Sequence, residues 1–193
     1  MDMDMSNAGR RLDFPEGGSV LLCGALDVQE TEGRGGRGLR PLRLPQSSFV
    51  QFSSYERESM RTVISGCSGV HLRVLTDADA VALTVRCTRV DYGELPSAAN
   101  GFAASVDGRI VCEAESHVDA VERVSRDGRS CSRDVMRGRS TVILDGLGVG
   151  EKTVTIWLPQ TMLVDLIAIR GVNGERVNAA PASALPRWVH YEA

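Results

Sequence analysis

Lysine is nearly absent from this 193-residue chain: Lys152 is the only one, and the remaining positive charge is arginine. Formal net charge is -3 and the sequence pI is about 5.7, so no global positive field exists to hold nucleic acid or an anionic membrane. The arginine bias reads as codon composition rather than as a set of phosphate clamps, and no function is assigned to it. Aromatic residues make up only 5% of the chain. No window approaches the roughly 20 apolar residues of a membrane span. The first eighteen residues alternate Met with Asp before Arg10 and Arg11 and lack the apolar core of a secretory signal, so a cytoplasmic protein is expected. Five cysteines (Cys23, Cys67, Cys87, Cys112, Cys131) include no close pair and no nearby histidine to complete a zinc site. Reduced, buried thiols and no bound metal are the expectation.

What the chain does contain is apolar alternation at period two. Val70-His-Leu-Arg-Val-Leu75 and Ala80 to Val90 read as strands, with Thr76-Asp-Ala-Asp79 as the turn between neighbours. Phe102 to Val106 and Arg109 to Cys112 flank Asp107-Gly108, the strongest hairpin signal present. Ser140–Leu144, Lys152–Leu158 and Val164–Arg170 continue the pattern, and Ser19–Asp27 begins it. Glu30 to Gly38 is too glycine-rich for regular structure and reads as a loop, whereas the prolines of Leu39-Arg-Pro-Leu-Arg-Leu-Pro45 confine that segment to a sheet edge or an extended crossing. Only Tyr55 to Ser65 has helical spacing, ending at Gly66. About eight short strands and one short helix leave no room for βαβ crossovers, so the expected fold is all-β, an antiparallel two-sheet sandwich of jelly-roll type. Residues 1–18 are assigned to a flexible tail, 19–171 to the sandwich, and 172–193 to a linker.

Catalytic and cofactor motifs are weak. No Gly-x-Ser-x-Gly occurs, and Ser65 and Ser68 in Ile64-Ser-Gly-Cys-Ser-Gly69 are better explained by the turn that ends a helix. His71 alternates with apolar neighbours in a strand and is expected to face solvent, while His117 sits in a polar stretch. Gly33-Arg-Gly-Gly-Arg-Gly38 formally satisfies Gly-x-Gly-x-x-Gly, but Pro41 and Pro45 forbid the helix whose N-terminus would hold a pyrophosphate. No cofactor is expected.

The last third carries a resemblance. Gly150-Glu-Lys-Thr-Val-Thr-Ile-Trp-Leu-Pro159, Val164-Asp-Leu-Ile-Ala-Ile-Arg170 and Pro186-Arg-Trp-Val-His-Tyr191 resemble the region that joins the N-terminal β-sandwich to the catalytic domain in actinobacterial GDSL/SGNH hydrolases. Some of their relatives act as acyltransferases in antibiotic biosynthesis. Gly24-Ala-Leu26, Gly38 to Pro45, Ser68 to Val74 and Val106-Asp-Gly108 agree with it. In that family the stretch matching Arg187–Tyr191 runs into a Gly-Asp/Ser-Ser block whose last serine is the nucleophile. Glu192 stands at the glycine position and the serine would fall one residue past Ala193. The resemblance therefore implies a linker leading to an absent catalytic domain, no catalytic residue within the chain, and a hydrolase domain as partner in cis or in trans.

On the strand Lys152–Leu158, Val154, Ile156 and Leu158 share one face, which leaves Trp157 on the other. In a domain that precedes another, burial against that neighbour is the preferred reading of Trp157, and Trp188 and Tyr191 follow the same logic. A free-standing carbohydrate-binding module, with Trp157 as a platform for a sugar ring, is the alternative. A fragment of a GDSL-type esterase is the third reading.

Overall fold

The computed structural model describes residues 9–182, apart from 16, 54–56, 94–100, 126, 128 and 129. Its first strands are β1 (Arg10–Asp13), β2 (Ser19–Cys23), β3 (Asp27–Gly33) and β4 (Gly36–Leu42). A 3-10 segment (Gln46–Gln51) and the helix α1 (Arg57–Ser65) come next. Then follow β5 (His71–Thr76), β6 (Val81–Asp91), β7 (Gly101–Val106), β8 (Arg109–Glu115), β9 (Ala120–Val124) and β10 (Cys131–Val135). The last are β11 (Ser140–Leu144), β12 (Lys152–Trp157), β13 (Met162–Gly171) and β14 (Val177–Ala179).

Alternation decides which side of each strand is buried. Leu72 and Val74 of β5, Val154 and Ile156 of β12, and Phe102 and Ala104 of β7 point inward from one sheet. Val81, Leu83, Val85 and Cys87 of β6 meet them from the other, with Met162, Val164 and Leu166 of β13. A bulge in β13 between Leu166 and Ala168 shifts the parity by one, which returns Ile169 to the core. Each such Leu, Ile or Phe, fully desolvated, contributes on the order of 1.5–3 kcal/mol.

Each sheet has seven strands. Within them β4-β13-β6-β11 faces β5-β12-β7-β8, and the chain crosses from sheet to sheet at eight of the thirteen connections between successive described strands. That strand order is a jelly roll, as expected from the sequence. The long strand β6 has β13 along one side, while β11 and the parallel strand β9 share its other side end to end. Asp119 closes the gap between those two: its Oδ2 accepts hydrogen bonds from the Cys87 N–H (2.9 Å) and the Ser140 hydroxyl (2.8 Å).

Several expectations need correction. The glycine-rich stretch 30–38 is a β3–β4 hairpin, not a loop, with Gly33 opposite Gly36. β4 lies inside the sheet, between β13 and β3; Pro41 is tolerated because the pairing with β13 reaches only Leu39. Thr76–Asp79 does not join neighbouring strands but carries the chain from one sheet to the other, since β5 and β6 each have an apolar face to set against its opposite number. The segment 1–18 includes β1, paired to β2, with Leu12 and Phe14 buried; 172–193 includes β14, paired to β5. The short strand β9 and the polar strand β10 were not legible as strands at all. By contrast, Asp107 and Gly108 take φ of 51° and 76°, as the two-residue β7–β8 turn requires. Helix α1 falls within the expected 55–65, of which 55 and 56 lie outside the described residues.

Candidate functional site

The outer face of the first sheet holds an aromatic pair. Strand parity puts Trp157 on that face, and antiparallel register sets it directly between His71 of β5 and Ala103 of β7. The His71 and Trp157 ring centroids lie 4.5 Å apart at 39°. His71 Nδ1 also hydrogen-bonds the Gly69 carbonyl (3.2 Å), which holds the imidazole across the indole. The same row extends to Cys23 of β2 and Glu113 of β8, and the next row places Arg73 beside Thr155. Arg73 donates to the Pro181 carbonyl (3.3 Å). Trp157 is 41% exposed, a large apolar ring held in water in the middle of a sheet face. The small Ala103 side chain leaves the indole open on that side.

The sequence places Trp157 on the outward face correctly, and His71 is half-buried rather than fully in solvent because the indole covers it. Trp188 and Tyr191 lie outside the described residues. Ser65, the last residue of α1, is buried and lines a cleft with Leu163 of β13 on the other sheet, whereas Ser68 immediately precedes Gly69; His117 is exposed before β9.

The outer face of the second sheet holds a charge cluster that sequence reasoning missed. Asp165, 1% exposed, accepts from Arg86 Nε (2.8 Å) on one oxygen and from Arg40 Nε (2.6 Å) on the other. Arg86 is itself buried, 3% exposed, and donates further to the Thr31 hydroxyl (3.1 Å) and the Gly36 carbonyl (3.4 Å). The β3–β4 hairpin fits over this guanidinium only because it is glycine: a Cβ on Gly33 would stand 2.1 Å from Arg86 Nη1, and one on Gly38 would stand 2.9 Å from Asp165 Cβ. Burial pushes the Asp165 carboxyl up, but the charge of Arg40 and the hydrogen bonds from Arg40 and Arg86 outweigh it, so the group titrates below the ordinary carboxylate value. Burial and then the neighbouring charge of Arg40 lower the pKa of Arg133 on β10, which donates to the Thr88 hydroxyl (3.0 Å). One signal was available: a lone carboxylate inside the apolar run Val164–Ile169 and a lone arginine inside Val81–Cys87 each demand a partner, and register makes them partners.

Beside this cluster α1 and the 3-10 segment overhang the sheet and enclose a cleft of about 370 Å³. Arg40, Arg61, Phe49, Thr62, Glu122 and Leu163 are among its walls. The Thr62 hydroxyl donates to Glu122 Oε1 (3.0 Å), and the Arg61 guanidinium stands 5.8 Å over the Phe49 ring.

No protein-family model matches the chain, and no curated protein does. Among solved structures, a salicylyl-acyltransferase, SsfX3 from a tetracycline biosynthetic pathway, matches with a TM-score of 0.61 at 21% identity over 92% of this chain. The chain spans 43% of that protein's length. At that identity the likeness is one of fold. Among the described residues no helix is long and apolar enough to cross a membrane.

Proposed function

We propose that this jelly roll is a non-catalytic accessory module of the GDSL/SGNH ester-hydrolase and acyltransferase type, working in the cytoplasm and docking a catalytic domain in cis or in trans through the face centred on Trp157. Trp157 carries this reading. A tryptophan 41% exposed, packed against a half-buried histidine and with Arg73, Thr155 and Glu113 on the surrounding strand positions, has the make-up of an interface anchor: an apolar centre with polar neighbours. Two further observations support it. The strand bearing Trp157 belongs to the segment that resembles the domain-joining region of those hydrolases, and the fold matches part of a larger acyltransferase.

The test mixes the chain with an isolated actinobacterial GDSL/SGNH catalytic domain and follows association by calorimetry. Association is expected, and Trp157→Ala should weaken it about thirtyfold, the equivalent of a 2 kcal/mol anchor. Equal affinity of the variant and the parent chain, or turnover of a p-nitrophenyl ester by the chain alone, would overturn the proposal.

The openness of the indole beside Ala103 favours a second reading, in which the same face stacks on a sugar ring. A glycan array separates the two: saturable binding abolished by Trp157→Ala supports the carbohydrate reading, and silence across the array removes it.

A further inference from the structure

We propose that the segment 183–193 of this chain docks on the outer face of the first sheet, with Trp188 and Tyr191 as its anchors against Trp157, so that the face carries a cover supplied by its own polypeptide. The inference rests on the docking reading only in what the cover regulates: a catalytic domain arriving in trans has to displace it.

The route of the backbone points there. Strand β14 follows β5 as far as Ala179 opposite Val74, and the Ala180 N–H still reaches the Arg73 carbonyl (3.2 Å). It cannot continue within the sheet. Strand β2 already pairs the next stretch of β5, with Leu21 opposite Arg73 and Cys23 opposite His71, and the Ser19 hydroxyl accepts the Ala179 N–H (2.8 Å) where β2 and β14 meet end to end. The inner side is closed by the buried core residues Leu22, Leu72 and Val74, so the chain leaves the sheet outward. Arg73, on the outer face, takes hold of it there by donating to the Pro181 carbonyl (3.3 Å).

Position and length then select the occupant. Arg73 lies two residues from His71 on one strand, and Trp157 stands opposite His71, so the indole is about 10 Å from the exit. Trp188, the only other tryptophan, follows Ala182 by six residues, which span at most about 20 Å when extended. The same segment carries Leu185, Val189 and Tyr191, in a chain with only 5% aromatic residues. The face offers such residues an apolar centre on a low floor. Trp157 has the small Ala103 at its side, and the neighbouring row places Ile110, 63% exposed, beside Ser105. The tether raises the local concentration of the segment to roughly millimolar, so contacts too weak to hold a free peptide suffice to close the face.

The test reads Trp157 alone in the whole chain. Trp188→Phe makes Trp157 the only tryptophan and keeps an aromatic anchor; Trp188→Asp combined with Tyr191→Asp removes both anchors and leaves the same single fluorophore. Acrylamide should quench Trp157 at least twofold more steeply in the Asp chain than in the Phe chain, independently of protein concentration. Reciprocally, Trp157→Ala should move the emission of Trp188 to the wavelength it has in urea. Equal quenching in the two chains, or a Trp188 emission indifferent to Trp157, would overturn the cover. Protection that grows with protein concentration would assign it to a second copy and overturn the intramolecular docking. Calorimetry with the isolated catalytic domain separates this inference from the docking reading. Association should be at least threefold tighter for the Asp chain than for the Phe chain, and equal affinities would overturn the regulation. A quenching difference with no association of either chain would uphold the cover and sink the docking reading alone.

Discussion

Asp165 shows what one buried charge does to this sandwich. Its carboxylate is enclosed by two guanidinium groups, one of which, Arg86, is 79 residues away in sequence but opposite it in register, and its removal leaves Arg86 buried without a counter-charge. Asp165→Asn is expected to cost about 3–5 kcal/mol in urea unfolding. The sign of its pH dependence follows from the lowered pKa: the stabilisation is complete above the unfolded carboxylate value, about pH 4, and is lost as pH falls through the lower folded value. The acid limb of the stability curve should therefore be flatter in Asp165→Asn, and equal slopes in the two chains would contradict this. The thiols give a second expectation. Burial pushes Cys67 and Cys87 up to about 12, and Cys23 is wholly enclosed, whereas Cys112 and Cys131 are only half-buried. Ellman's reagent should find Cys112 and Cys131 first in the folded chain and all five cysteines after unfolding. Prompt labelling of Cys67 or Cys87 would refute that order.

Elements succeed or fail as local readings according to where their reasons lie. The β7–β8 hairpin was legible because Asp107 and Gly108 alone supply the positive φ values of its turn. The β3–β4 hairpin was not, because its glycines answer to something distant: they make space for Arg86 and Asp165 on other strands. Gly33→Ala should accordingly destabilise the chain by about 1–3 kcal/mol through overpacking against Arg86. Gly101→Ala, where a Cβ meets nothing within 4 Å, is the control and should stay within about 0.5 kcal/mol. Equal effects in denaturant titrations would show that close approach to the guanidinium is not what selects glycine at position 33. Strand β10 was missed for the opposite reason, since Cys-Ser-Arg-Asp-Val carries almost no apolar pattern and is held as a strand by its pairing to β9.

At the scale of the molecule, the core reaches beyond the segment whose alternation announces it. Leu12 and Phe14, in a stretch that reads as tail, belong to the central cluster with Val20 and Leu22. Phe14→Ala should lower stability by about 3 kcal/mol with an unchanged denaturant slope, whereas a chain with a free tail over those residues would show no effect. Period-two alternation is a local property, so the sequence by itself determined that strands form, which face of each is apolar, and hence that two sheets enclose a core with Trp157 outside it. Which strands become neighbours is not local. The sharing of one edge of β6 by β9 and β11, the pairing of Arg86 with Asp165, and the cleft beneath α1 all bring together residues tens of positions apart. Only the tertiary structure decided them, because the desolvation of a charge or the closing of a sheet edge is settled by whatever packs over it.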